Sequence, residues 1–157
     1  MQQFSYNILI ISISNPILVG MYKNDILIES ISRDGKTSEV LPSIFDELQS
    51  KYNIKNIFYV NGPGSYMAIK IAYIFLKTIS IVNKINLYAV NGFDFNNNSP
   101  IKALGKKYFH RHNKLDNDNI TIEFLSNKLI EKFILPKKFV NIKYSEDTLP
   151  KYNLPAV

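Results

Sequence analysis

Gly62-Pro63-Gly64-Ser65 is the one four-residue turn in this chain that reads like a ligand cradle. A turn at the head of a helix offers unpaired N–H groups and about half a positive charge, which is the chemistry of anion binding. The full P-loop pattern G-x-x-x-x-G-K-[ST] does not occur, and Met67 stands where a dinucleotide loop needs its third glycine. Two readings stay open for Gly62, Gly64 and Ser65. One is an anion- or nucleotide-proximal turn, the other a strand-to-helix turn with Ser65 as the helix N-cap.

Other candidate chemistry is sparser. His110 and His112 alternate around Arg111, so on a strand they share a face. No cysteine exists and no patterned carboxylate stands nearby to complete a metal site, so both are expected to be ordinary exposed histidines and no metal is expected. Asp46 and Glu47 are adjacent, hence on different helix faces and solvated. Asp25, Glu29 and Asp34 show no convergence, and no G-x-S-x-G elbow marks a nucleophile. Catalytic residues are therefore expected to be absent. Lys106, Lys107 and Arg111, interleaved with Tyr108 and Phe109, are candidate RNA contacts, with a solvated strand as the plainer alternative.

Charge bears on that alternative. The chain of 157 residues carries a net +6, with 17 Lys, 23 Ile and 18 Asn, a bias that an AT-rich genome produces. Residues 1–95 hold 8 basic and 7 acidic side chains, and 96–157 hold 11 and 6. Attraction for RNA is thus concentrated in the second half. No uninterrupted apolar run approaches the roughly 18 residues of a membrane span. The N-terminus carries no Lys or Arg before its first apolar run, unlike a signal peptide. A soluble, cytoplasmic protein is expected.

The elements that must position these residues follow from apolar spacing. Residues 8–13, 17–22 and 26–32 are short β-branched runs, separated by Asn15-Pro16 and Lys23-Asn24-Asp25. Connections this short make the three strands antiparallel. A helix is predicted from Ser38, as N-cap, to about Tyr52, with Pro42 in its first turn. Residues 57–60 form a strand, Ser65 to about Asn83 a long helix, and 87–90 another strand. The order β-β-β-α-β-α-β describes an α/β fold with one mixed sheet. Asn96 to Pro100 marks a boundary between a lobe at 1–95 and a shorter one at 96–157. The latter is predicted to hold strands at 106–112, 120–124 and 139–144 and a helix at 125–133.

The long helix is apolar over too much of its girth. At 100° per residue, Tyr66, Lys70, Tyr73, Lys77 and Ser80 fall in a narrow polar arc, leaving roughly 240° apolar apart from Thr78. A sheet covers little more than ~100°, and each Ile or Phe left in water forgoes ~1.5–3 kcal/mol. A second surface must cover the surplus, either the chain's own remainder or a partner. The predicted partner face comprises Met67, Ala68, Ile71, Ala72, Phe75 and Ile79, with Leu41 and Phe45 of the preceding helix.

The strand ILIISIS, the helix start SEVLP and above all GPGSYMAIKIA resemble the TsaB (YeaZ) family, over roughly residues 6–92. The closing YNLPAV resembles a family ending. The resemblance implies an actin-like ATPase (ASKHA, RNase H-like) fold without catalysis of its own. It implies a dimerization subunit, or pseudoenzyme, of the machinery that makes threonylcarbamoyladenosine in tRNA. The implied partners are a catalytic TsaD-like paralogue in a heterodimer, a TsaE-like ATPase, and tRNA reached through the complex. TsaC would supply the threonylcarbamoyl-adenylate, and the chain could form a homodimer when alone. The chain would hold no cofactor itself, with nucleotide only at the interface of the assembled complex. Met67 and Ala68 replace the family's usual Thr and Gly, Lys70 its Arg, Ala72 a Gly, and Ser12 an Asp that nucleotide-handling relatives use near magnesium. Two competing functions remain: a stand-alone actin-like nucleotide-hydrolysing phosphotransferase, and a basic RNA-binding module acting through residues 102–114.

Overall fold

The computed structural model describes residues 5–117, 119–125 and 130–153. Strands β1 (Tyr6–Ile11), β2 (Ile17–Lys23) and β3 (Ile26–Arg33) form an antiparallel meander. Asn24 and Asp25 turn the second hairpin with φ of 50° and 65°, the pair of positive values a type I′ loop requires. Helix α1 (Thr37–Gln49) then crosses to β4 (Ile54–Val60), and α2 (Tyr66–Asn83) to β5 (Asn86–Val90), both strands parallel to β1. The sheet order is β3-β2-β1-β4-β5, so β1 lies at its centre. Its continuous run Ile8 to Ile11 is buried on both faces, which is why it does not alternate with polar residues.

One face of the sheet is covered by helices. Ile8, Ile10, Ile57, Tyr59, Leu87 and Ala89 meet Leu41, Ile44, Phe45 and Leu48 of α1 and Ala72 and Leu76 of α2. The helices touch through Phe45 and Phe75, edge to face at 5.9 Å. α1 begins two residues, about half a turn, earlier than its sequence suggests. Lys36 is the N-cap, no side chain caps the helix, and Pro42 falls in the second turn instead of the first. Tyr52 lies beyond the helix, its ring 5.1 Å from that of Tyr6.

The opposite face is covered by an extended strap from the end of the chain. Leu9, Ile11, Phe58, Val60 and Val90 pack against Phe133, Leu135, Phe139 and Ile142. At one sheet edge the Leu27 N–H donates to the Lys137 carbonyl (2.9 Å) and the Phe139 N–H to that of Asp25 (2.8 Å). At the other edge Ala89 and Ser145 exchange both backbone hydrogen bonds at 2.9 Å. The predicted strand at 139–144 is therefore absent. The segment runs across the sheet from β3 to β5, and a crossing chain can pair with an edge only by single bridges, at Lys138 and Ser145. Of the predicted helix at 125–133, residues 126–129 lie outside the described residues, and Leu125 and residues 130–133 are not helical.

A second, antiparallel sheet comprises β6 (Ile101–Lys102), β7 (Lys107–Arg111) and β8 (Ile120–Phe124). It packs through Ile101 and Phe109 on Phe93 and Ile13, which ties it to the first sheet. The predicted strands at 106–112 and 120–124 correspond to β7 and β8, while β6 was not foreseen.

Candidate partner-docking surface

The GPGS turn is filled by the chain itself. Residues 61–64 are buried. Gly62 sits at φ 147°, and a Cβ there would collide with the Lys151 carbonyl. A Cβ on Gly64 would lie 2.7 Å from the Ile13 side chain. Both glycines are thus explained by close approach of the chain's own atoms. The strap is fastened here: the Lys151 N–H donates to the Asn61 carbonyl (2.8 Å), and Asn61 Nδ2 to that of Leu149 (2.9 Å). Tyr59 adds a buried hydroxyl bond to the Thr148 carbonyl, and burial pushes its phenol far above the ordinary range. Of the three predicted anion residues only Ser65 is exposed. Its Oγ accepts from the Ala68 N–H at 3.5 Å, so Ser65 is the N-cap.

The turn launches α2 with only a thin inner stripe against the sheet. Ile69, Ala72 and Leu76 are buried, at three- and four-residue spacing. The outer side leaves Met67 (56% exposed), Ile74 (54%), Ile81 (68%) and Val82 (70%) in solvent. Met67, Ile71, Ile74, Thr78 and Ile81 are spaced alternately four and three apart, the seam spacing of a helix that packs along another helix. By length and composition α2 is the one helix among the described residues that could cross a membrane, contrary to the run-based expectation. Lys70 and Lys77 interrupt that composition, and the inner stripe holds the helix on the sheet.

The predicted partner face divides accordingly. Leu41, Phe45 and Ala72 are at most 1% exposed and belong to the chain's own core. Their apolar stripes face the sheet, because Ala72 shares the inner side with Ile69 and Leu76. Ala68, Ile71, Phe75 and Ile79 are half-buried along the flanks, and Met67 is outward. Ile74, Ile81 and Val82 were not in the predicted set, although the seam spacing of Ile74 and Ile81 was present in the sequence.

The basic half divides too. Lys106 and Lys107 are exposed, with Lys107 Nζ 5.4 Å from the centre of the Phe124 ring. The Arg111 side chain is 2% exposed and already engaged. It donates to Asp94 (2.9 Å), Asn98 (2.7 Å) and Asn117 (2.8 Å), and its guanidinium lies over Phe93 at 5.2 Å. Arg111 is therefore a structural knot between β7 and the Gly92–Phe95 turn, and not an exposed RNA contact. His110 is buried at 5%, not exposed. His112 Nε2 lies 2.6 Å from Thr121 Oγ1. Among the described residues no group of three or more His, Cys, Asp or Glu could hold a metal.

Two features escaped the sequence reading. Gly35-Lys36-Thr37 matches the last three positions of the P-loop pattern, with Ser30 where the first glycine would stand. Ser12, read above only as a lost carboxylate, is 3% exposed, and its Oγ has no hydrogen-bond partner among the described residues.

No family model matches the chain. A curated relative, the tRNA threonylcarbamoyladenosine biosynthesis protein TsaB of Buchnera aphidicola subsp. Acyrthosiphon pisum (strain APS), is 29% identical over 152 aligned positions. The match covers 80% of this chain and 65% of the relative, so the chain spans just under two thirds of that protein's length. Among solved structures, YeaZ from Pseudomonas aeruginosa superposes with a TM-score of 0.58 at 12% identity, over 81% of this chain and 67% of that one. A protein described as uncharacterized, with similarity to peptidase YeaZ from Pseudomonas aeruginosa, gives 0.52 at 12% identity, over 98% and 71%. These likenesses carry the expected actin-like fold, whose meander and two crossovers are those seen here. In sequence the chain is similar to a TsaB protein, and in fold to YeaZ structures, which is the resemblance that GPGSYMAIKIA carries.

Proposed function

We propose that the chain is a non-catalytic subunit in the formation of threonylcarbamoyladenosine in tRNA, and that it pairs with a TsaD-like catalytic protein. The observation that carries this reading is the outward seam of α2. An 18-residue helix about 27 Å long keeps Met67, Ile74 and Ile81 in water along one line, with Val82 exposed beside them. Knobs at that spacing fit the holes of a second helix. The name of the curated relative supplies the biological setting, and the absence of a carboxylate at Ser12 supports the lack of catalysis.

In this reading a TsaE-like ATPase joins the pair, and any nucleotide is held at the interface of the assembled complex. Without its partner the chain self-associates through the same seam. Lys106 and Lys107, within the positive second half, are left to approach tRNA, and the complex works in the cytoplasm. The test is size-exclusion of the purified chain, alone and mixed with a TsaD homologue. A mixed species is expected at micromolar concentrations. A lone monomer that ignores the homologue and hydrolyses nucleotide after repurification would overturn the reading in favour of a stand-alone enzyme.

A further inference from the structure

Two hollows lie along the strap, on the side of the sheet away from α2. The first, of about 590 Å³, is lined by Lys114, Lys132, Lys138 and Lys143. Of its two carboxylates, Asp94 is already bonded to Arg111 at 2.9 Å, which leaves Glu131 against four ammonium groups. None of these lysines makes an ion pair among the described residues.

The second hollow, of about 330 Å³, has no cation in its lining. It is lined by Asn7, Asn56 and Asp25 and by the rings of Phe58, Tyr88 and Tyr144. Asn7, Asn56 and Asn86 are in register on β1, β4 and β5 and form a ladder of amides. Asn86 Nδ2 donates to Asn56 Oδ1 (2.9 Å), and Asn56 Nδ2 to Asn7 Oδ1 (2.8 Å). The ladder ends in the hollow on the Asn7 amide, whose N–H groups donate to nothing among the described residues. Tyr144, 58% exposed, completes an aromatic cluster with Phe58 (5.4 Å) and Tyr88 (5.0 Å). Asn141 and Ile142 line both hollows, and Lys138 and Lys143 bracket them in the strap. A ligand across this rim meets ammonium groups on one side, and rings with amide and carboxylate edges on the other. A single nucleic-acid strand divides in the same way, charged along its backbone and flat, stackable and hydrogen-bonding at its bases. An acidic peptide matches the lysines only and leaves the second hollow unused.

We propose that the strap groove binds a single-stranded segment of RNA, with phosphates along Lys132, Lys138 and Lys143 and one unstacked base in the second hollow. The base stacks on Tyr144, its edge donates to Asp25 and accepts from Asn7. The carboxylate thus lies on the base side, where amino groups point, and away from the phosphates it would repel. The choice of RNA rests on the proposed role in tRNA modification. Lys106 and Lys107 line neither hollow, and the groove leaves the outer side of α2 free for a partner.

The experiment is fluorescence anisotropy of a labelled single-stranded RNA of about 12 nucleotides with the full chain, over a series of salt concentrations. Saturable binding is expected, with a slope of log affinity on log salt near about −2, for roughly three phosphates. Lys138→Ala combined with Lys143→Ala should weaken binding and flatten that slope by about 1.4. Tyr144→Ala should weaken binding at least about fivefold with the slope unchanged, and Tyr144→Phe should restore it. Lys106→Ala combined with Lys107→Ala is the matched change outside the groove and should weaken binding less than the strap pair. A titration without saturation, a slope that the strap pair leaves as it was, or full affinity in Tyr144→Ala would overturn the proposal. So would displacement by polyglutamate as readily as by unlabelled RNA, which would mark the groove as a site for an acidic protein segment. The strap lysines are exposed, so their double variant should melt as the unmodified chain does, and it decides the matter if Tyr144→Ala loosens the fold. Pairing with a TsaD homologue is followed separately by size-exclusion. RNA binding lost with pairing kept removes the groove alone, and pairing lost with RNA binding kept removes the subunit reading alone.

Discussion

The two helices lie side by side on one face of one sheet, yet they relate to it differently. α1 spends its apolar residues inward: Val40, Leu41, Ile44, Phe45 and Leu48 are all buried, and its outer side is polar. α2 buries only Ile69, Ala72 and Leu76, and leaves more large apolar side chains outside than in. The sheet alone explains the composition of α1. It explains about a third of the girth of α2. A helix whose apolar girth exceeds what its own fold can cover has a second surface to meet.

That contrast can be attacked from either side. The largest effect is expected at the inner stripe of α2. Ala72→Glu places a carboxylate in the core with no cation to meet it, at a cost of several kcal/mol. Thermal melting of the lone chain should show no folded baseline at room temperature; a folded, cooperative variant would mean that Ala72 belongs to the outer seam. Next comes α1: Phe45→Ala removes a buried ring that packs on Phe75, and should lower stability by about 3–5 kcal/mol in urea melts. A loss below about 1 kcal/mol would show that α1 is loosely held and that the contrast has been overdrawn.

On the outer seam the sign of the comparison reverses. Ile74→Glu should leave the lone chain's stability within about 0.5 kcal/mol, since its side chain is already in water. Affinity for a TsaD homologue should nevertheless fall more than about tenfold, because the carboxylate would be desolvated at the contact. Asp46→Arg, on the exposed side of α1, is the matched control and should change neither quantity. Isothermal titration of both variants decides it. Equal affinities for the two would remove the special status of the α2 seam.

The smallest effect is at the foot of α1. The hydrogen bond from Lys51 (3.0 Å) holds the Glu29 carboxyl below its ordinary pKa. A carboxyl whose folded pKa is lowered stabilises the fold above its unfolded pKa of about 4.3, and loses that contribution as pH falls through the folded value. Lys51 is half-exposed and the Glu29 side chain 27% exposed, so solvent still screens the pair and Glu29→Gln should lower the midpoint at pH 7 by about a degree or less. The difference from the unmodified chain should vanish in acid. A difference that persists at pH 2 would show that Glu29 acts through packing and not through its charge.

How far the sequence was legible varies with the range of the interactions involved. The meander, both helices and both parallel strands of the first sheet were readable because their signals are local: alternation, helical spacing, short turns and a serine N-cap. The start of α1 was misplaced because Thr37, Ser38 and Lys36 offer competing caps, and the backbone path from Gly35 chose among them. The strap was misread as helix and strand. Phe139, Ile142 and Tyr144 carry strand-like composition, but their partners are Phe58 and Tyr88 across the sheet, far away in sequence.

The sequence by itself determined that α2 has more apolar surface than one sheet can use, and that its head is a glycine-rich turn, since both depend only on residue order and the 3.6-residue period. Tertiary structure alone decided which part of that surface is spent at home. Ala72 and Met67 look equally apolar on a helical wheel, and only docking against β4 and β5 puts one in the core and the other in water. The same holds for charge. Arg111 reads as a free cation next to Lys106 and Lys107 until the fold brings Asp94, Asn98 and Asn117 around it. A side chain's role here depends on which distant atoms surround it, and burial and electrostatics are set by that company.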